Sequence, residues 1–537
     1  MGSHFGLHPI LRKVLLISTS FTCIHVAAET QPFYYSGKTK IPLEMSSTYI
    51  AVPLTPEEVR NLNQEYFSTE AAKRKPNATI LLGNILLVPT ETSKDFHFFR
   101  QNQHAFEERS VPVYSWRQLL LIPTDEVIVR FRHDTLSTRV PVILRPFSHY
   151  QILGPGKFLI RVPSTEALSI ANKLAEDESI QYAEPNFTTL IPAPPPVTPV
   201  PLPTLGAAPI SALPSDAYFP QQWFLENRGL GKVGADIRAQ QAWKVTKGDF
   251  VTIAVLDLGV DLTHPDLTAK IVNPYDAITN TNKQDPASPD DYHGTACAGL
   301  AASLTNNVVG IAAIGWSTKI MPVRMATFEK LTGRWQTNPR IIARAIDVAV
   351  DKGADVLSSS WSTGVSSEVD ASIDRALSSG RGGKGAVLVF AAGNFSSTVD
   401  WPASSSLQRP VVAVSATNEW DEFKTPTSRD NESTWGSNFG PEVTVSAPGV
   451  QLFTTNLRGG SPANPADYIP NFHGTSAATP IVAGVVALIV SIHPDFSAKR
   501  IIDLLTTTAD DLGAPGKDDE FGYGRVNACR AVNSNGR

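Results

Sequence analysis

Cysteine is scarce in this sequence: 537 residues contain only three, Cys23, Cys297 and Cys529. So few cysteines cannot build the disulfide framework on which small secreted scaffolds depend. The chain must therefore be held together by a core of apolar side chains. Apolar residues make up 42% of the sequence and charged residues 18%, which is ordinary for a large globular protein.

An excess of positive charge is also missing. Lysine and arginine number 46 against 51 aspartates and glutamates, the formal net charge is -5, and no long basic run occurs. These values give no indication of a nucleic-acid partner. Beyond the first 28 residues, no stretch has the length and low polarity of a membrane-spanning helix, so we expect no stable membrane span.

The N-terminus has the pattern of a secretory signal. Arg12 and Lys13 precede a moderately apolar stretch over 14–26, and Val26-Ala27-Ala28 supplies small residues of the cleavage-site type. We predict a signal peptide over residues 1–28, which would remove Cys23 and send the protein to the periplasm or the cell exterior. The alternative is a packed or disordered N-terminal segment.

The rest of the chain divides into four regions. Residues 29–124 carry no motif that assigns a role. Residues 125–187 have strand-like alternation followed by helical spacing, which predicts a small α+β domain. Residues 188–216 are rich in proline, which favours an extended, semi-rigid spacer. Residues 217–537 form the last region. The prolines that dominate the spacer are Pro192, Pro194, Pro195, Pro196, Pro199, Pro201 and Pro203.

Strand-like and helical patterns alternate through the last region. This alternation predicts an α/β fold, with a doubly wound and mostly parallel sheet that binds ligands at the carboxyl ends of its strands. The predicted strands cover residues 251–256, 355–359, 386–391, 411–416 and 443–446. The predicted helices cover residues 294–304, 339–352, 367–378, 477–492 and 498–507.

Ser476 lies in a stretch of small residues before an apolar run. Gly474 would let the backbone approach a ligand, and we expect Pro480 in the first turn of the following helix, where a missing N–H costs nothing. Free amides and the helix dipole would favour negative charge near Ser476, which suits a nucleophilic serine. The alternative is that Ser476 only caps the helix.

Three other polar side chains stand at the ends of predicted elements. Asp257 ends the strand over 251–256, His293 directly precedes a helix of small residues, and Asn394 ends the strand over 386–391. The Asn394 amide and the Ser476 N–H could both donate to an oxyanion. Taken singly, each residue is more often structural, as a turn acid, a packed histidine or a turn asparagine.

Together these four blocks, in this order and spacing, resemble the subtilisin-like serine proteases over residues 217–530. The resemblance implies that Ser476 attacks the scissile carbonyl, His293 transfers the proton, Asp257 orients the imidazole, and Asn394 stabilises the oxyanion. It also implies that Ser360, Trp361 and Ser362 pair with the substrate backbone, and that Cys297 is a buried helix residue.

Within that family the chain leans towards the kexin-like and calcium-dependent branch. The signs are Trp223–Asn227, Asp290 with Asp291, Cys297, and the glycine-rich run over 380–385. The acid-rich segment that follows the Ser-Trp pair in kexins is missing, so specificity for paired basic residues is not implied. The resemblance implies calcium as a structural stabiliser with undetermined ligands, and no cofactor for catalysis.

Asp400 follows Asn394 in a loop that, by the resemblance, borders the primary specificity pocket. A carboxylate there would pair with an arginine or lysine before the cut. The alternative is a solvated loop acid. Between Leu174 and Asn227 the chain has no lysine or arginine at all, so a strictly basic specificity would prevent the enzyme from cutting its own linker.

Residues 125–187 are similar to the inhibitory propeptides of this family, particularly in Tyr182–Phe187. The resemblance therefore predicts a monomeric serine endopeptidase, made as a zymogen whose partners are its own propeptide and peptide substrates. An independent partner-binding domain is the alternative for residues 125–187. For the whole chain, the alternative is a catalytically silent peptide-binding relative. A metalloprotease would need a ligand cluster such as His-Glu-x-x-His, which this sequence lacks.

Overall fold

The computed structural model describes residues 31–65, 79–89, 108–135, 138–198, 214–286 and 288–534. The predicted signal peptide lies outside these residues and stays a prediction. The chain separates into two compact units, residues 1–187 and residues 188–537.

The described residues of the first unit form three antiparallel sheets. Five strands pair in the order β7-β6-β3-β5-β4, four pair in the order β11-β8-β10-β9, and β1 pairs with β2. The strands are β1 (Phe33–Ser36), β2 (Thr39–Pro42), β3 (Glu44–Pro53), β4 (Ile80–Leu82), β5 (Ile85–Pro89), β6 (Val111–Trp116), β7 (Leu119–Ile122), β8 (Glu126–Phe131), β9 (Tyr150–Gly154), β10 (Lys157–Arg161) and β11 (Ile180–Pro185). The helices are α1 (Pro56–Glu65), α2 (Arg139–Leu144) and α3 (Ala167–Ala175).

The four-stranded sheet and α3 give the small α+β layer predicted for residues 125–187. Ala167, Ala171 and Ala175 are buried at intervals of four residues, so one narrow face of α3 packs closely on the sheet. The predicted strand over 126–131 is confirmed as β8.

The second unit is built on a seven-stranded sheet in the order β14-β15-β13-β18-β19-β20-β21. Every neighbouring pair is parallel, which confirms the predicted α/β fold. The strands of this unit are β12 (Thr188–Pro192), β13 (Thr252–Asp257), β14 (Tyr275–Asp276), β15 (Lys319–Arg324), β16 (Thr327–Glu329), β17 (Arg334–Thr337), β18 (Val356–Ser359), β19 (Val387–Ala391), β20 (Val412–Thr417), β21 (Val445–Pro448), β22 (Leu452–Thr455) and β23 (Tyr468–Phe472).

Helices accompany the sheet strands along the chain. They are α4 (Ala239–Ala242), α5 (His293–Ala302), α6 (Pro339–Asp351), α7 (Ser367–Gly383), α8 (Thr475–Ile492), α9 (Ala498–Thr507) and α10 (Ala528–Asn533). In α6, Ile342, Ala345, Ile346 and Ala349 are buried, which is the stripe expected of a helix that covers one sheet face. By contrast, α8 is buried on all sides from Thr475 to Val490. Of the helices in the described ranges, only α8 is long and apolar enough to span a membrane, and 89% of that window is inside the protein.

The order of strands in the sheet brings the carboxyl ends of three strands to one edge. Strands β13, β18 and β19 are consecutive neighbours in the sheet. Because they run parallel, Asp257 at the end of β13, Ser360 after β18 and Asn394 after β19 all leave the sheet at its carboxyl edge.

The beginning of the predicted spacer is a strand. β12 pairs antiparallel with β17, with Thr189 opposite Thr337 and Ile191 opposite Trp335. Residues 188–191 are β-branched or apolar, and the first proline of the region stands only at position 192, so this stretch has good strand-forming residues.

Candidate active site

Asp257 and His293 form a buried pair. The Nδ1 atom of His293 lies 3.0 Å from both carboxylate oxygens of Asp257. The His293 side chain is 2% exposed and the Asp257 side chain 1% exposed. The Leu258 N–H also donates to the Asp257 carboxylate. A Cβ on Gly294 would lie 2.2 Å from the Gly259 carbonyl, so the glycine allows the start of α5 to approach β13 closely.

Two effects of opposite sign act on the His293 imidazole. Burial, the largest single effect, disfavours the charged ring and lowers its pKa, while Asp257 and Cys297 favour the charged ring and together raise the pKa by more. The net result is a His293 pKa above its ordinary value. Nε2 of His293 is buried and has no hydrogen-bond partner within the described part of the chain.

Ser476 is the second residue of α8, and the N-cap is Gly474, which has no side chain to cap with. The structure therefore does not support the alternative that Ser476 caps the helix. The Ser476 hydroxyl donates to the Ser360 carbonyl at 3.3 Å. It is not hydrogen-bonded to His293 in this conformation, and such catalytic bonds often tighten only when substrate is bound.

Pro480 lies six residues into α8, so its predicted place in the first turn is wrong. Because proline lacks an N–H, it cannot bond the carbonyl four residues back, which belongs to Ser476. That carbonyl accepts instead from Ser360 Oγ at 2.9 Å and Cys297 Sγ at 3.5 Å. The missing helical bond thus lets two side chains fix the backbone of Ser476.

Asn394 is held by the residue next to Ser476. Its Oδ1 accepts from the Thr475 N–H at 2.8 Å and from Thr475 Oγ1 at 2.9 Å. Since the oxygen is thereby fixed, the Nδ2 donors of Asn394 are the atoms left for a ligand. Asn394 and Ser476 line one cavity.

Cys297 lies under the pair, with Sγ 3.8 Å from His293 Nδ1. Burial raises the pKa of its thiol, although His293 opposes that effect. A protonated thiol is a poor nucleophile and a poor metal ligand. The Asp257, His293 and Cys297 ligand atoms lie within 4.8 Å of one another, but His293 Nδ1 is already engaged by Asp257.

The predicted substrate-contacting residues meet at the same cavity. Ser360, Trp361, Ser362 and Asp400 all line it, beside Asn394 and Ser476. Asp400 is only 8% exposed, and Asn438 Nδ2 donates to its carboxylate at 3.2 Å.

The sequence analysis did not identify two parts of the cavity wall. The Trp335 ring packs edge-on against the His293 ring at a centroid distance of 4.7 Å. The chain's own Ile191, Pro192, Ala193 and Pro194 complete the lining. The apolar run before Pro192 was the signal that could have identified a strand here.

Two buried carboxylates, Asp216 and Asp266, lie elsewhere in this unit. Asp266 accepts from Asn307 Nδ2 and from the Ile311 N–H, each at 2.9 Å, and Asp216 accepts from the Asn306 and Asn307 N–H groups. Burial, with a further contribution from Asp216, raises the pKa of Asp266 to about 6. A cation would relieve this repulsion, and hard oxygen donors of this kind suit calcium.

The chain is similar to known proteins in sequence and in fold. Residues 248–524 match the Subtilase family, Peptidase_S8. The calcium-dependent protease of Trichormus variabilis is 32% identical over 459 residues, which cover 77% of this chain and 63% of that protein. This chain therefore spans less than two thirds of that relative. Thermitase of Thermoactinomyces vulgaris is 34% identical over 317 residues, covering 59% of this chain and 99% of thermitase.

The crystal structure of fervidolysin from Fervidobacterium pennivorans, described as a keratinolytic enzyme related to subtilisin, has the same fold. The two structures superimpose with a TM-score of 0.56 at 23% identity, over 77% of this chain and 61% of that one. Since the family match alone covers more than half of the sequence, the chain belongs to the subtilase family.

Proposed function

We propose that this protein is a serine endopeptidase that uses Ser476 as nucleophile. The observation that carries the proposal is the buried Asp257–His293 hydrogen bond, which leaves His293 Nε2 without a partner. Cys297 links this pair to the serine, because its Sγ lies 3.8 Å from His293 Nδ1 and donates to the Ser476 carbonyl. A buried imidazole with one nitrogen held by a carboxylate and the other free is arranged to accept a proton.

The chemistry follows from these positions. Ser476 Oγ attacks the peptide carbonyl while His293 Nε2 takes its proton, and Asp257 stabilises the imidazolium that forms. Asn394 Nδ2 and the Ser476 N–H donate to the oxyanion. His293 then protonates the leaving amine, and water hydrolyses the acyl-enzyme with His293 again accepting a proton.

Labelling with a fluorophosphonate separates this proposal from a catalytically silent peptide-binding protein. The probe phosphonylates an activated serine, so prolonged incubation at saturating probe should modify the full-length chain on the peptide that contains Ser476. Mass spectrometry of tryptic peptides locates the adduct. A chain that stays unlabelled, or is labelled equally after Ser476→Ala, would contradict the proposal.

The proposal extends to the primary specificity pocket, where Asp400 would bind a basic side chain. A hydrogen bond to a charged group contributes about 1.5–3 kcal/mol, so we expect Asp400→Asn to reduce kcat/KM for an arginine substrate by about 10- to 100-fold. Peptides that differ only in Arg, Leu or Phe before the scissile bond measure this. The leucine and phenylalanine peptides serve as controls, because they make no charged pair. An arginine preference that survives the substitution would exclude Asp400.

In this proposal the enzyme is made as a zymogen. Residues 125–187 would be the propeptide, on the strength of their similarity to inhibitory propeptides and of the α+β layer formed by β8–β11 with α3. The independent partner-binding role for this region remains the alternative.

Calcium would be a structural stabiliser held by Asp216, Asp266 and Asn307. A ligand at about 100 times its Kd stabilises by about 2.7 kcal/mol, so for a unit of this size chelation should lower the melting temperature by about 4 °C. Calcium, but not magnesium, should restore it. Asp266→Asn should abolish this calcium response, whereas Asp503→Asn, in an exposed pair with Lys499, should keep it. An unchanged melting temperature in excess chelator would show that calcium does not stabilise the fold.

A further inference from the structure

A segment of the chain itself lies along the active-site cavity. β12 enters as a strand paired with β17, and the residues after Ile191 line the cavity beside Asn394 and Ser476. An extended backbone paired with a strand at the edge of a cleft is the usual arrangement of a bound peptide.

The same segment continues past the cavity. Asn471 Nδ2 donates to the Thr198 carbonyl at 2.9 Å, and Val197 is only 8% exposed within the core of this unit. The carbonyls of Pro195 and Pro196 lie close enough to His473 to affect its pKa. Residues 188–198 therefore run from β17, past the cavity that Ser476 lines, to the residues just before α8, as an extended peptide would.

The register of this segment is fixed. Leu190 is fully buried and Ile191 is 3% exposed, while Ile191 stays opposite Trp335 in the β12–β17 ladder. A slip by one residue would move each side chain to the opposite face of the strand. The bonds near Ser476 are therefore those that follow Ile191.

These bonds are poor substrates for acyl transfer. Between Pro192 and Val197, three of the five peptide bonds are imides whose nitrogen belongs to a proline ring, and the other two follow a proline. For the acyl-enzyme to form, the carbonyl carbon must lose this nitrogen as His293 protonates it. The ring fixes φ and places carbon where a secondary amide has hydrogen, which crowds the nitrogen that His293 must reach.

We propose that residues 192–197 act as a built-in inhibitor, which occupies the active site as a peptide but resists cleavage there. This inference rests on the proposed function of Ser476. A tethered segment has an effective concentration on the order of millimolar, so an external peptide competes poorly with it. Activation then requires a cut outside 192–197, followed by departure of the segment.

The test replaces Pro194, Pro195 and Pro196 by alanine in the full-length chain. The matched control replaces Pro199, Pro201 and Pro203, which belong to the same proline-rich region beyond the segment at the cavity. Intact mass and N-terminal sequencing locate any cut. The cavity variant should cut itself within 192–197, while wild type and control stay intact there.

Fluorophosphonate labelling and peptide hydrolysis are measured on the same samples. After the cut, the cavity variant should label and turn over an external peptide at least about tenfold faster than wild type. Adding Ser476→Ala to it should prevent the cut. The single variant Pro194→Ser tests the same prediction with a smaller change to the chain. Melting curves verify that each variant is folded.

The outcomes separate the two proposals. The inhibitor proposal fails if wild type cuts itself within 192–197, or if the cavity variant is labelled rapidly yet stays uncut. Neither result contradicts the proposal that the protein is a serine protease. Absence of labelling at Ser476 in every form, including wild type nicked by an added protease, overturns the proposed function and this inference with it.

Discussion

Replacing Ser476 by alanine is expected to reduce peptide hydrolysis to background, a loss of at least about 1000-fold. The nucleophile is removed, and two other hydroxyls that line the cavity are engaged elsewhere: Ser360 Oγ donates to the Ser476 carbonyl, and Thr475 Oγ1 donates to Asn394. His293→Ala should lose activity comparably, and the double variant should lose no more than either single one, because nucleophile and base act as a unit.

The fold should tolerate this change. Ser476 makes no capping hydrogen bond, and its hydroxyl makes only a long one to the Ser360 carbonyl, so the melting temperature should stay within a few degrees of wild type. Ser491→Ala is the matched control, since Ser491 lies in the same helix and donates to the Leu488 carbonyl. Near-normal turnover of Ser476→Ala, measured on a peptide substrate, would refute the assignment.

The parallel sheet could be predicted because its strands are continuous apolar runs. Every residue over 253–256 and over 387–391 is apolar and buried, and a polar residue follows each run: Asp257 directly, and Asn394 after Ala392 and Gly393. The same pattern identified Asp257 and Asn394, because in a parallel sheet the residues that end neighbouring strands meet at one edge.

Strand β15 was missed because Pro322 interrupts its pattern. Proline is rare inside sheets because it cannot donate to the ladder. The strand tolerates it here because the neighbour on one side, β14, consists of only Tyr275 and Asp276, which pair with Val323 and Arg324. The place of Pro322 in the sheet thus depends on how short β14 is, and β14 lies about 50 positions earlier in the chain. Local sequence patterns do not reveal such a distant neighbour.

The interactions around Ser476 were also beyond the reach of the sequence pattern. The effect of Pro480 depends on where α8 begins, and helix ends are the least certain part of a prediction. The path of residues 192–198 depends on the pairing of β12 with β17, which lies more than 130 positions later in the chain. Composition alone predicts only an extended spacer and not the strand with which it pairs.

Asp257→Asn is expected to lower kcat by about 10,000-fold, the size of effect seen when the aspartate of a serine-protease triad becomes asparagine. This loss corresponds to about 5 kcal/mol of transition-state stabilisation. Asparagine keeps the shape of the side chain but can donate to His293 Nδ1, which favours the tautomer whose Nε2 carries the proton. That nitrogen then cannot accept the proton of Ser476.

The pH dependence gives this prediction a second readout. In wild type, activity should rise with pH as His293 loses its proton, with a midpoint above the ordinary imidazole value, because Asp257 and Cys297 together raise the His293 pKa more than burial lowers it. Removing the Asp257 carboxylate takes away the largest of the effects that raise this pKa, so the residual activity should rise at a lower pH than in wild type. Asp285→Asn, which changes an exposed carboxylate, is the control and should leave both rate and midpoint unchanged. Profiles of kcat and kcat/KM against pH measure the shift, and a midpoint that stays in place after Asp257→Asn would mean that Asp257 does not control the protonation of His293.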